Sequence, residues 1–373
     1  MKLKIKKILF LEALNNVSKA ISNKNIIPIL SGIKFEITKD KIILTASDND
    51  ITIRTILEKS KDLVIEDKGN IVIKGKYMLD IVKKLESDFI NIEILEDHKM
   101  LIYTENSNFV LNGIDVSEYP DIDLSMSKDI INMKISEFKE MILQTNYACS
   151  FDEARVVLTG VNLNVNKSEL ECSATDSYRL AIKKLKIKDK LNSDVNIIIP
   201  SKNLNELIKV LPYDDEDKNM EIHIFNNKIL FKIDNLIFQS RLINGTYPNT
   251  KNLIPIDSMF NIKLNRIDFY NMVDRASILN NDKDNNIMTL ELKNKILKIT
   301  SMSLEIGKVE ETMNVNSDEK IKISFSGKYM MDALRTMKSE NIIITFVGEI
   351  KPILINEEDE KELLCLILPI RTY

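Results

Sequence analysis

Gly75-Lys76-Tyr77-Met78-Leu79-Asp80 recurs almost unchanged as Gly327-Lys328-Tyr329-Met330-Met331-Asp332, 252 positions later. Midway, 126 residues from each, stands Ser201-Lys202-Asn203-Leu204-Asn205-Glu206. That interval is an ordinary domain length and far longer than a solenoid repeat. The chain therefore reads as three copies of one unit.

Other landmarks keep the same register. Leu30-Ser31-Gly32-Ile33 with Thr45-Ala46-Ser47-Asp48 is echoed 128 residues on by Leu158-Thr159-Gly160-Val161 with Ser173-Ala174-Thr175-Asp176. Thr300-Ser301-Met302-Ser303 follows the second block by 127, and Ala20, Ala148 and Ala276 close helix-like segments at intervals of 128. Asn112-Gly113 before Tyr119-Pro120 matches Asn244-Gly245 before Tyr247-Pro248.

Hydrophobic spacing gives each copy a common order: strand, helix, several strands, helix, several strands. In the first copy Phe10, Leu14, Val17 and Ile21 recur at helical spacing. Alternating, Ile- and Thr-rich runs at 33–37, 42–46 and 51–55 read as half-buried strands. The spacing predicts a second helix over Lys76–Leu85, then strands at 90–95, 100–104 and 109–114. The expected fold is α+β, three tandem copies of a domain in which two helices pack on antiparallel sheet. Unpatterned polar stretches at 121–129 and 250–257 separate the copies, placed at 1–125, 129–250 and 256–373.

Composition narrows the function classes. The 373 residues are 44% hydrophobic and 29% charged, as in globular proteins. Cys149, Cys172 and Cys365 form no CxxC pair, which points to a reduced, cytoplasmic protein. The start, Met1-Lys2-Leu3-Lys4-Ile5-Lys6, alternates like a strand and does not resemble a signal peptide. No apolar run is long enough to span a membrane. The two histidines, His98 and His223, both fall in strand-like segments and supply a metal site poorly. No phosphate-binding glycine loop, catalytic triad or zinc spacing occurs. An enzyme built on Asp48, Asp50 and Asp176 is the rival reading, but Asp48 and Asp176 share one repeat position, which suits a turn. The chain is thus expected to be no enzyme, with no cofactor and no metal.

Three such units resemble the bacterial DNA polymerase III β-subunit (sliding clamp) family over the whole chain. The resemblance rests most on Ala174-Thr175-Asp176-Ser177-Tyr178-Arg179-Leu180-Ala181, on Asn244-Gly245-Thr246-Tyr247-Pro248 and on the C-terminal Leu366-Ile367-Leu368-Pro369-Ile370-Arg371-Thr372-Tyr373. It implies a head-to-tail homodimeric ring, with sheets outside and helices lining a hole for double-stranded DNA bound without sequence specificity. It also implies partners: a replicative DNA polymerase, a clamp-loader ATPase and other proteins carrying a clamp-binding motif. A non-catalytic dimeric β scaffold, or a divergent second clamp copy outside main replication, is the alternative.

By the same resemblance, a peptide pocket between the second and third copies comprises Leu158, Thr175, Ser177, Tyr178, Arg179, Leu180, Pro248, Leu253, Pro352, Leu366, Ile367, Leu368, Pro369, Ile370 and Arg371. Tyr178 stands where the family commonly has histidine, and Asn252 where some members have arginine. The dimer interface would pair an edge holding Phe109 and Leu111 with one holding Ile278 and Leu279. Lys24 and Arg155 match basic DNA-facing loop positions, while Asp152, Val156 and Val157 depart from the residues some members place there.

Charge offers an independent test, because the chain is net −4 overall. The second helices carry Lys76, Lys83 and Lys84; Lys202 and Lys209; Lys328, Arg335 and Lys338. Against these eight stand Asp80, Glu206 and Asp332, a net of +5. A wall that is only mildly basic suits a ring held by topology, since each neutralised phosphate would deepen and slow its hold.

Overall fold

Alternation in the sequence becomes antiparallel sheet, and 3.6-residue spacing becomes helix, in the order expected. The computed structural model describes residues 2–22, 27–128, 130–166, 168–188, 194–212, 218–279, 286–303 and 305–371. Lys24 lies outside them.

The first copy runs β1 (Lys2–Lys6), α1 (Lys7–Ser18), β2 (Gly32–Ile37), β3 (Lys41–Ser47), β4 (Ile51–Glu58), β5 (Leu63–Asp67), β6 (Gly69–Lys74), α2 (Gly75–Lys84), β7 (Phe89–Leu95), β8 (Lys99–Tyr103) and β9 (Asn108–Asn112). The second holds β10 (Ile130–Lys134), α3 (Ile135–Thr145), β11 (Gly160–Asn166), β12 (Glu169–Thr175), β13 (Arg179–Lys186), β14 (Val195–Pro200), α4 (Ser201–Val210), β15 (Asn219–Ile224), β16 (Lys228–Ile233) and β17 (Leu236–Arg241). The third holds β18 (Phe260–Asn265), α5 (Arg266–Ser277), β19 (Ile287–Lys293), β20 (Ile296–Ser303), β21 (Gly307–Asn314), β22 (Ile321–Ser326), α6 (Gly327–Thr336), β23 (Asn341–Phe346), β24 (Ile353–Glu357) and β25 (Leu363–Ile367).

Two compact units result: residues 1–135 with 205–242, and residues 136–204 with 243–373. The division passes through the middle copy for a physical reason. In the first unit, β17 of the second copy pairs with β4 of the first, making one sheet ordered β10-β15-β16-β17-β4-β3-β2-β6. In the second unit, β25 of the third copy pairs with β13 of the second, in the order β14-β11-β12-β13-β25-β24-β23-β18. Each copy thus spreads its strands over two sheets where the sequence suggested one layer. All four sheets are open, so each ends in strands with no partner beyond them among the described residues; β9 ends β5-β1-β7-β8-β9, and β21 ends β21-β20-β19-β22.

In the first unit α1 packs on α2, and in the second α5 packs on α6. Phe10, Ala13, Leu14 and Val17 of α1, and Phe269, Met272, Val273 and Ala276 of α5, are buried. Each large apolar side chain so placed contributes about 1.5–3 kcal/mol. Ala20, Ala148 and Ala276 are fully buried, although Ala20 follows α1 and Ala148 lies in a short 3-10 turn. Ile21 falls beyond α1, Lys338 beyond α6, and His98 in a turn at φ 52 before β8 instead of in a strand. Residues 250–253, expected as linker, form one 3-10 turn.

Repeated glycines mark places where backbone meets another element. A Cβ on Gly160 would stand 2.7 Å from the Ile199 carbonyl oxygen, 2.7 Å from Ile198 Cγ2 and 2.9 Å from Ile243 Cδ1. Backbone cannot yield as a side-chain end can. Gly160→Ala should therefore cost about 1–3 kcal/mol, read as a lower midpoint for the first urea transition of the full chain. An unchanged midpoint would refute the contact.

Candidate peptide-docking site and subunit edges

The pocket residues lie on β12–β13, on β25 and the chain after it, before β11 (Leu158), between β17 and β18 (Pro248, Leu253) and before β24 (Pro352), all within the second unit. The Asp176 turn sets the geometry. Its Oδ1 accepts from Tyr178 N at 2.9 Å and Arg179 N at 3.0 Å, holding Ser177 at φ 79. Asp48 does the same for Asp50 N and Ile51 N at 3.0 and 2.9 Å. Both carboxylates therefore close turns, as their shared repeat position implied. Thr175 Oγ1 donates to Arg179 O at 2.6 Å, and Thr175 N donates to Tyr247 Oη at 3.0 Å.

Arg179 is only 5% exposed, and its surroundings account for that. Nε donates to Asp176 Oδ2 at 3.0 Å and Nη1 to Asp332 Oδ2 at 2.7 Å, so a turn of the second copy is clasped to α6 of the third. The guanidinium lies 4.4 Å from the Tyr329 ring centroid and 5.4 Å from that of Tyr147. Burial opposes its charge, but the Asp332 hydrogen bond and the charges of both aspartates outweigh this and raise its pKa. Tyr178, 63% exposed, stacks on Tyr329 at 6.5 Å and 26°. In the sequence Tyr329 and Asp332 stand out only as part of the repeated motif; their contact with Arg179 crosses copies and leaves no local spacing to find, and Tyr147 carries no signal of its own.

The apolar walls form two clusters. Leu180 and Leu366 are buried with Ile182 and Leu354, against Ile254, Val347 and Leu364. Leu158 packs with Ile198 and Tyr247 against Val157 and Ile243. Ile367 is buried too. The surface available to a ligand comes from Tyr178, Ser177, Pro248, Leu253 and Leu368, all exposed. Pro352 is half-buried. Beyond β25 the chain still pairs: Leu368 N donates to Tyr178 O at 2.9 Å and Ile370 N to Ser324 O at 2.7 Å. Leu368, Pro369, Ile370 and Arg371 open onto a cleft of about 590 Å³ with Ile323 and Ile350.

At the edges, β9 exposes Phe109 and leaves Leu111 half-buried. Ile278, 74% exposed, and Leu279 occupy the turn ending α5 and are not on a strand. The third copy ends its four-stranded sheet in β21, an open edge strand among the described residues. Arg275 Nη2 bridges Glu311 Oε2 at 2.6 Å, tying α5 to that strand.

The basic residues are exposed at Lys76, Lys83, Lys84, Arg155, Lys202, Lys209, Lys328, Arg335 and Lys338. Several are partly neutralised: Lys209 meets Glu206 at 2.6 Å, Lys338 meets Glu140 at 2.7 Å, and Arg335 meets Asp332 at 3.9 Å. Arg155 Nη1 donates to Ser177 Oγ at 2.9 Å. Lys76, Lys83, Lys84 and Lys328 make no ion pair among the described residues.

Comparison with known proteins is decisive. The DNA polymerase III beta subunit family matches in three parts: its N-terminal domain over residues 1–123, its central domain over 132–249 and its C-terminal domain over 251–371. The chain belongs to the DNA polymerase III β-subunit family. A beta sliding clamp of Staphylococcus epidermidis is 39% identical, and one of Staphylococcus aureus 38%, each over the whole of both chains. The crystal structure of a DNA polymerase sliding clamp from Bacillus subtilis has a TM-score of 0.96 at 39% identity. That of the polymerase β subunit of Streptococcus pyogenes has 0.95 at 30%, and both cover the full length of both chains. The β-subunit family is a non-catalytic processivity subunit of the polymerase, and its members are sliding clamps. Among the described residues no helix is long and apolar enough to cross a membrane.

The clasp at Arg179 gives a test. Removing it strands two carboxylates in a largely buried place, so Arg179→Ala should destabilise the second unit by about 3 kcal/mol. Arg179→Lys should recover little, since a point charge cannot serve two carboxylates and a ring face together. Urea denaturation of the full chain reads both; full rescue by lysine would contradict the planar-fork account.

Proposed function

We propose that two copies of this chain close head to tail into a ring around duplex DNA and tether the replicative polymerase. The carrying observation is the pair of open edges. The strands β4, β13 and β21 hold one repeat position, starting at Ile51, Arg179 and Gly307, each 128 residues after the last. Two of them are already capped by the final strand of the next copy. Among the described residues β21 alone of the three is not, and β9 alone of the final strands caps nothing. Exposed edges of this kind invite pairing, and pairing between different surfaces makes rings when the rotation closes.

The internal junctions also supply the register. Ile51 faces Ser240 in β4–β17. Ser240 is the fourth residue after Leu236, which closes a two-residue hairpin turn with Ile233. Leu111 is likewise the fourth after Ser107, whose carbonyl accepts from Thr104 N across an equivalent turn. Gly307 should therefore face Leu111 of the partner subunit, and Val309 should face Phe109 of the partner subunit. Ile278 and Leu279 would flank that seam from the end of α5.

In this ring the exposed lysines of α2, α4 and α6 form a wall that meets phosphates without reading bases. The acidic remainder keeps the outside soluble and off other nucleic acid. Partners, including a clamp-loading ATPase, dock peptides at the exposed rim of Tyr178, Pro248, Leu253 and Leu368, and the protein works in the cytoplasm. The buried walls beneath hold the rim in place; truncating Leu180 or Leu366 would cost about 2–5 kcal/mol of fold before it informed on binding.

The seam is tested by a double variant, Phe109→Cys with Val309→Cys. The native cysteines are buried, and burial pushes the Cys149 and Cys365 thiols up to about 12, so background oxidation is low. Mild oxidation should give covalently closed dimers on denaturing gels, whereas Phe109→Cys with Lys308→Cys should not. Monomers in sedimentation, or no cross-link from the first pair, would refute the arrangement.

A further inference from the structure

The first unit contains a cleft of about 480 Å³ where the first and second copies meet. We infer that it is a second peptide site, the internal-repeat counterpart of the pocket above, rebuilt to take a primary-amide side chain in place of an aliphatic one. The inference rests on the reading that the counterpart takes a peptide.

The correspondence is positional. Leu30, Ser47 and Pro120 line the cleft, each 128 residues before Leu158, Thr175 and Pro248. Tyr119 stands equally far before Tyr247 and is likewise buried. The ladders supply the floor. Leu180 faces Leu366 in β13–β25; at the same point of β4–β17, Thr52 faces Gln239. Two residues further along the strand, Arg241 takes the place of Leu368. In the strand before, Lys228 stands in the position of Pro352. The frame is kept, and the apolar floor has become polar.

The new floor defines its ligand. Gln239 Oε1 is buried with no hydrogen-bond partner, a state that costs about 1–3 kcal/mol unless something donates to it. Ser47 Oγ donates to Ile51 O at 3.0 Å, which leaves Thr52 Oγ1 as the donor in its 2.8 Å hydrogen bond with Ser47 Oγ and its hydrogen already used. Charge is balanced across the cleft, with Asp121 and Asp123 against Lys228 and Arg241, and Lys228 Nζ already lies 2.9 Å from Asp123 Oδ2. An anionic anchor would meet the aspartates and the Gln239 oxygen. An asparagine or glutamine side chain brings a donor for Gln239 and an acceptor for Arg241 without net charge. Ile27, 44% exposed, and the half-buried Ile122 give the flanking aliphatic surface an extended peptide needs.

Two capped peptides serve as probes on the full-length protein, acetyl-Ala-Ala-Gln-Ala-Ala-amide and the same with Leu at the centre. Methyl chemical shifts of Ile27 and Ile122 report the first cleft, and Ile254, beside Leu180 and Leu366, reports the second. The glutamine probe should move Ile27 and Ile122 and bind there at least about fivefold more tightly than the leucine probe. Thr52→Leu with Gln239→Leu should reverse that preference while leaving Ile254 alone. If the double variant folds poorly, Ile27→Asp on an exposed side chain should abolish the Ile122 response and spare Ile254. Silence at Ile27 and Ile122 while the leucine probe still moves Ile254 overturns the proposal and leaves the known-type pocket standing. Silence at all three overturns the proposal together with the reading beneath it.

Discussion

Each copy's final strand completes the sheet of the copy before it, and this edge pairing is the constraint from which the rest follows. β17 caps β4 and β25 caps β13, so the backbone hydrogen bonds that hold a copy together also join it to its neighbour. Copies linked this way cannot be compact on their own, which is why the middle one divides between two units. The same rule leaves one uncapped strand at each end of the series, β9 and β21. A chain of this design needs a second molecule as surely as its first copy needs its second.

Sheet pairing fixes the copies edge to edge, and side chains then specialise each junction. At the second junction Arg179 adds a charged clasp from the Asp176 turn to Asp332, roofed by Tyr329 and Tyr147. That clasp positions an exposed rim above an apolar floor, which is the form a peptide site requires: mostly apolar, with a few fixed polar groups. At the first junction Asp50 follows Asn49 where Tyr178 follows Ser177, and Thr52 and Gln239 replace the facing leucines. One architecture thus carries two chemically different surfaces.

The threefold order was legible because it is written in recurring side chains with physical reasons to recur. Gly75 and Gly327 begin helices where a Cβ would strike Ile21 or Met288, and Asp48 and Asp176 tie identical turns. Strand edges were less legible. Period-two alternation says which face of a strand is buried but nothing about which strand lies beside it, so β21 was not singled out as a sheet edge. The partners of Arg179 were hidden for the same reason: Asp332 is 153 residues away. Helix ends also drifted, leaving Lys338 outside α6 and paired with Glu140.

Lys76, Lys83, Lys84 and Lys328, which make no ion pair among the described residues, give a chain of net −4 no tight grip on DNA by charge alone, so lasting retention requires that the DNA pass through a closed circle. The most direct measurement loads the protein onto nicked circular DNA with a clamp-loading ATPase and follows its release after gel filtration. Retention on the circle, with rapid loss once a single cut makes it linear, is the predicted result. Equal retention on both forms, or none on the circle, would contradict the account.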